Sequence, residues 1–246
     1  MKCILLDLHR SLTNRWFLVA LLSTAITLYL SIGQATYGLL EYLKNYTLYT
    51  DSFWYSMSDL LTIGMKGEFS LLTLPALSAL PFSAQALHEI KSGAIRPVVF
   101  RAGRKGWIIG KIMGCVISGM LLQGVAIGLL FLLLNGLMLS ITGQWFPWQS
   151  DNGFLLTLAC RTLSGSIWAG IGCVMALATE TSSAAYLAPI CLCYALMMIG
   201  TRFFPNIPMM NPIQWVSGTV WMPVILLIVV IALEALFLKR GVQKYA

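Results

Sequence analysis

Residues 107–138 read WIIGKIMGCVISGMLLQGVAIGLLFLLLNGLM, 32 positions with a single charged side chain, Lys111. About 20 apolar residues in helical form cross the hydrocarbon core of a bilayer. This run therefore reads as a membrane span longer than it needs to be, and part of it is expected to tilt or to project into the cytoplasm. Outward from it, five further runs nearly free of charge fall at 16–33, 70–88, 153–178, 183–203 and 219–238.

Composition agrees. Of 246 residues, 58% are hydrophobic and 10% charged, against about 45–50% and about 25% in soluble domains. A water-soluble globular enzyme is not expected, and disorder, which needs low hydrophobicity and high net charge, is excluded. The expectation is an all-α polytopic membrane protein, a single transmembrane domain over 1–246 with six transmembrane helices.

Charge placement orients the spans, because cytoplasmic loops are enriched in Lys and Arg. With both termini cytoplasmic, twelve basic residues fall inside and only Lys44, Lys66 and Arg202 outside, with Arg161 within a span. The net charge of +7 divides into juxtamembrane groups rather than one groove, so it speaks for orientation and for membrane lipids, not for nucleic acid.

Ahead of the first span, Ile4, Leu5, Leu8 and Leu12 share a helical face, with Asp7, Arg10 and Ser11 turned elsewhere. Residues 1–15 are thus expected to form an amphipathic interfacial helix rather than a plain extension or a cleaved signal. After that span, Tyr42, Tyr46, Tyr49 and Phe53 recur at helical spacing in an external segment, followed by Trp54 and Tyr55. They read as a helix at the headgroup level, with a substrate-contacting surface as the alternative.

The only long cytoplasmic loop, 88–106, carries Glu89, Lys91, Gly93, Arg96, Pro97, Arg101, Arg104 and Lys105. Its first half is expected to be a short helix ending near Gly93, with Pro97 blocking continuation. Further on, Gly106, Gly110, Gly114 and Ser118 recur every four residues, with Gly124 and Gly128 later and Ser166 and Gly170 in the fourth span. Small residues at this spacing let another helix approach closely, within the chain or between two copies.

Catalysis finds little support. Only His9 and His88 are present; His88-Glu89 begins like a zinc-protease motif, but position 92 is Ser. Asp7, Asp51, Asp59 and Asp151 all lie outside the spans, and no phosphate-binding loop exists, since the string from Gly106 to Lys111 lacks the spacing and the hydroxyl. The chain is not expected to be an enzyme or to bind a cofactor of its own. Its six cysteines, Cys3, Cys115, Cys160, Cys173, Cys191 and Cys193, read as small buried hydrophobes, and a metal site shared by Cys191 and Cys193 is disfavoured because they face different directions.

Charges inside spans are functional candidates. Arg161 either snorkels outward or faces an interior cavity or a partner subunit. Glu234 reads as reaching the inner interface beside Lys239 and Arg240.

The head with Arg10 and Arg15, then Pro81-Phe82, Glu89 through Gly93, Arg101, Arg104-Lys105 and Lys111, resembles the permease subunit of type-2 ABC exporters. It is similar in particular to the small Gram-positive permeases of peptide-antibiotic immunity and export systems. The resemblance implies a bacterial cell-membrane protein that works as two permeases, identical or related, with two cytoplasmic ATPase subunits that hold ATP and Mg. It further implies that the 88–106 coupling loop docks on the ATPase, so that Glu89, Lys91, Gly93, Arg96, Arg101 and Arg104 become coupling candidates. The cargo would be an amphipathic peptide or lipid-like compound. A departure from the family is Pro205, Pro208 and Pro212 before the last span, which replace or shorten its re-entrant hairpin. An ion-coupled transporter and a non-transport scaffold or sensor subunit are the alternatives.

Overall fold

The computed structural model of the chain describes residues 9–10, 12–44, 56–142, 145 and 152–245. Every regular element among them is helical: α1 (Arg15–Lys44), α2 (Met57–Lys66), α3 (Glu68–Ala79), α4 (Gln85–Lys91), α5 (Ile95–Thr142), α6 (Asn152–Thr179), α7 (Ser182–Arg202), α8 (Pro212–Ser217) and α9 (Trp221–Tyr245). Five helical stretches, Arg15–Gly33, Gly103–Ser140, Gly153–Thr179, Ser182–Arg202 and Trp221–Lys244, are long and apolar enough to cross a membrane. The pair α2 and α3, bent by 67° at Gly67, makes a sixth if it counts as one broken span. The chain is an all-α polytopic membrane protein.

The lipid-facing and buried sides are written into each span. On α1, Leu18, Leu22, Ile26 and Leu30 follow one another at helical spacing and are more than half exposed, whereas Phe17, Leu21, Leu28 and Ile32 are buried. A row of branched apolar side chains exposed in this way is stable only where the surroundings are themselves apolar. Helix α6 sits centrally, packed against α3, α5, α7 and α9.

Within lipid, helices associate through close packing and hydrogen bonds rather than through the hydrophobic effect. Helices α5 and α6 cross closely. A methyl group on Gly119 would lie 2.7 Å from the Gly165 carbonyl oxygen, backbone against backbone. Ser166 Oγ donates to the Val116 carbonyl at 2.8 Å across the same crossing. Of the small residues singled out in the sequence, Gly114 sits against the Phe82 ring and Ser118 and Gly110 are buried, but Gly128 has open space and Gly124 only a distant neighbour. The contact is within the chain, and Gly119, off the four-residue stripe, is its centre.

The structure corrects the expected second span. Residues 70–88 are not one helix: α3 ends at Ala79, turns occupy 80–84, and α4 begins at Gln85. The apolar chain approaching this region starts earlier, at α2, whose first turn is fixed by a capping box in which Ser56 Oγ accepts from the Asp59 amide and Asp59 accepts from the Ser56 amide. The first helix runs past residue 33 to Lys44, and the last starts at Trp221 rather than 219.

Pro97 does not block a helix. It falls in the first turn of α5, where a missing N–H has no intrahelical partner to lose. The break comes instead at Gly103, whose φ of 76° and ψ of 158° belong to a region essentially restricted to glycine. A side chain there would meet nothing within 4 Å, so the need for glycine is conformational. Residues 95–102 thereby form an arm set off from the membrane part of α5.

The prolines before the last span do not form a regular hairpin. Residues 203–211 are turns and a 3-10 turn (Pro208–Met210), followed by the short α8. Trp215 Nε1 donates to the Met209 carbonyl at 2.9 Å, and its ring stacks on Trp168 with centroids 5.3 Å apart. The expected interfacial helix lies mostly outside the described residues, as does the aromatic segment at Tyr46, Tyr49, Phe53, Trp54 and Tyr55.

Candidate functional site

One end of the bundle gathers the residues around the 88–106 loop. Helix α4 is seven residues long and closes with Gly93 at φ 74°, a left-handed position that glycine takes without strain. Its Glu89 points inward. Oε1 lies 2.6 Å from Lys111 Nζ, Oε2 accepts from Trp107 Nε1 at 3.1 Å, and Arg10 Nη1 stands 4.0 Å away. Trp107 and Lys111 are one helical turn apart on α5 and both are 1% exposed. The Lys111 ammonium also lies 5.6 Å from the Phe82 ring centroid, so its charge is held by a carboxylate and an aromatic face.

This latch ties α4, α5 and the head together. Lys91 donates to the Glu180 carbonyl in the α6–α7 turn, and Lys244 near the end of α9 pairs with the Glu180 carboxylate at 2.6 Å. Arg10, the 88–106 loop, the α6–α7 turn and the end of α9 therefore share one side of the bundle.

The remaining coupling candidates face outward. Arg96, Arg101 and Arg104 are exposed, as is Lys105, and Phe100 on the same arm is 92% exposed. Sequence reasoning missed Phe100; an aromatic residue between arginines in a loop was its only signal.

Deeper in the bundle, Arg161 on α6 is fully buried. Its guanidinium donates from Nη1 to the Met65 carbonyl at 2.9 Å and to Ser70 Oγ at 3.4 Å, from Nη2 to the Ser70 carbonyl at 3.1 Å, and from Nε to Gln123 Oε1 at 3.3 Å. Met65 lies in the last turn of α2, whose carbonyls lack intrahelical donors. Arg161 thus closes the break between α2 and α3 from inside the protein. Ser70 supports the same break: its Oγ donates to the Gly64 and Gly67 carbonyls and accepts from Arg161, while its amide donates to Ser31 Oγ at 3.0 Å. Gln123 extends the network by donating to Ser78 Oγ at 3.0 Å.

Glu234 does not reach the interface. It is fully buried on α9, and neither carboxylate oxygen has a hydrogen-bond partner among the described residues. A methyl group placed on Gly170 of α6 would lie 2.5 Å from Val230 Cγ1 and 3.7 Å from Glu234 Oε2, so the glycine lets α9 pack closely on α6 with the carboxylate beside it.

The fold and these clusters define a polytopic helical membrane protein with a basic, partly exposed arm at one end. The chain matches no protein-family model and no curated protein.

Proposed function

We propose that this chain is the membrane-spanning subunit of an ATP-driven exporter of the type-2 ABC kind, with the 95–102 arm as its contact with a separate ATPase. The observation that carries the reading is the arm itself: Phe100, 92% exposed, flanked by the exposed Arg96, Arg101 and Arg104. Aromatic and Arg side chains are the residues most often at the energetic centre of protein contacts. The arm is set off by Gly103 and rooted, through α4 and the Glu89 latch, in the membrane part of α5. A force on the arm would therefore reach the spans through a charged, buried connection rather than be lost in a slack loop.

In this reading Glu89 is a positioning residue for the arm, and Arg96, Arg101 and Arg104 with Phe100 make the contact. The arm, the head and the end of α9 lie on the cytoplasmic side of a bacterial cell membrane, two permeases act with two ATPases, and ATP binding drives movement of an amphipathic peptide or lipid-like cargo. The test is co-purification with candidate ATPase subunits, together with ATP-dependent transport in vesicles. A Phe100→Ala/Arg101→Glu double variant is expected to lose both while keeping the wild-type unfolding temperature. If it associates and transports as the wild type does, the arm is not the ATPase contact. Transport that persists with no ATPase present favours an ion-coupled transporter instead.

A further inference from the structure

The unpartnered Glu234 carboxylate does not stand alone. Cys115 on α5 and Cys173 on α6 bring their sulfurs to it, so that the two Sγ atoms and a carboxylate oxygen all lie within 4.8 Å of one another, with all three residues buried. Each comes from a different helix, and α5, α6 and α9 converge at this point. Around them lie Phe82, Ala169 and Leu238, an apolar shell. A carboxylate desolvated with no donor is an expensive arrangement, and two sulfhydryls, weak donors at best, do little to relieve it.

From this geometry we infer that Cys115, Cys173 and Glu234 form an intramembrane binding site for one thiophilic divalent cation of the zinc type. Two thiolates and a carboxylate are ligands that a borderline-soft cation accepts together, and three protein ligands leave one of its four positions open. Ideal bond lengths would bring the ligand atoms to about 3.5–3.8 Å from one another. The present upper limit of 4.8 Å therefore needs only a side-chain adjustment. Ser83, fully buried, stands against Gly172 beside Cys173 and donates to the Ala169 carbonyl at 2.8 Å; its oxygen or a water fills the fourth position. Binding releases the thiol protons to solvent, and the cation offsets the negative charge of the deprotonated ligands. Lys111 lies one turn from Cys115 on α5, but its ammonium is committed to Glu89. The cation would pin three spans together just inside the latch that roots the arm.

The test uses the full chain, produced in cells grown with zinc and purified in detergent with reductant and without chelator. Elemental analysis is expected to find one zinc per chain, and growth with cobalt is expected to give a sulfur-to-cobalt charge-transfer band. Loss of a residue that merely orients a ligand costs about 10–100-fold in metal affinity. Cys115→Ser, Cys173→Ser and Glu234→Gln, each removing a ligand, should weaken binding by more than that, whereas Cys191→Ser should leave it unchanged. Wild-type protein that binds no cation, or binds one equally well after the Cys115→Ser and Cys173→Ser changes, overturns the assignment. So does a disulfide between Cys115 and Cys173 in place of bound metal. The wild-type measurement decides even if a variant fails to fold.

Discussion

Replacing Arg161 by methionine separates a structural from a transport role for the only basic residue buried at the centre of α6. Methionine keeps most of the length and removes the charge with its four hydrogen bonds, of 2.9, 3.1, 3.3 and 3.4 Å. Two acceptors suffer most. The Met65 carbonyl ends α2 without a helical donor, and Gln123 Oε1 is buried in the same network. Leaving a buried acceptor unsatisfied costs about 1–3 kcal/mol, so two give about 2–6 kcal/mol. Against this, removing a guanidinium that has no carboxylate partner among the described residues relieves part of its own desolvation. The net expectation is roughly 2–4 kcal/mol of destabilisation. For a chain of this length each kcal/mol moves the melting temperature by about 2–4 °C, so Tm should fall by roughly 4–16 °C. Hydrogen exchange should speed up selectively around the break at Gly67. Arg161→Lys, which keeps the charge but not the fork of donors, should fall between. An Arg161→Met protein with wild-type Tm and wild-type exchange at 65–70, but with abolished transport, would refute the closure of the α2–α3 break and return Arg161 to the translocation path.

Two other substitutions test packing and the latch. Glu89→Ala removes the carboxylate 2.6 Å from the buried Lys111 ammonium, and should cost about 2–4 kcal/mol, toward the lower part of the range for buried pairs because the Glu89 side chain keeps 13% exposure; thermal unfolding checks this, and Glu89→Leu/Lys111→Met should regain most of the loss. Gly119→Ala places a methyl group 2.7 Å from the Gly165 carbonyl oxygen and should cost about 1–3 kcal/mol by forcing α5 and α6 apart. Gly128→Ala, with nothing within 4 Å, should stay within about 0.5 kcal/mol of wild type, so equal unfolding temperatures for these two alanine variants would contradict the assigned crossing.

The spans were legible because hydropathy over some twenty residues asks only whether a segment belongs in lipid, and α5, α6, α7 and α9 answer without internal contradiction. The same measure misplaced the second span. It ran on through Pro81 into α4 and began too late, because a window average does not register a bend at a single residue such as Gly67. The local signals were present: Ser56 and Asp59 at capping-box spacing, and the glycines at 64 and 67 that let α2 and α3 approach α1 at Ile32 and Ser31. Glu89 illustrates a different limit. In a loop full of basic residues it reads as exposed, yet its partner lies 22 positions away. Lys111, a charge inside an apolar run, was the sign that some carboxylate had to come to it. Cys115 and Cys173 were legible only as small hydrophobes, since nothing in sequence couples positions on separate helices; their meeting depends on the Gly119–Gly165 crossing, one turn from Cys115 and about two turns from Cys173.

The three charged side chains buried among the described residues are handled in three ways, and the contrast bears on what Glu234 is for. Arg161 is surrounded by the Met65 and Ser70 carbonyls on the two sides of the helix break and by the Gln123 side-chain oxygen, so its charge bridges the break. Lys111 is matched by a carboxylate and an aromatic face where the bundle meets its loop. Each is costly to bury and each is repaid by partners of opposite polarity drawn from at least two elements. Glu234 is buried as deeply, on α9, beside Gly170 of α6. The groups it faces are two sulfhydryls rather than a cation or a set of donors. A chain that satisfies its other two buried charges so fully would gain by replacing Glu234 with leucine if packing were all that mattered there. The missing positive partner is then the cation that two cysteines and a carboxylate are suited to hold.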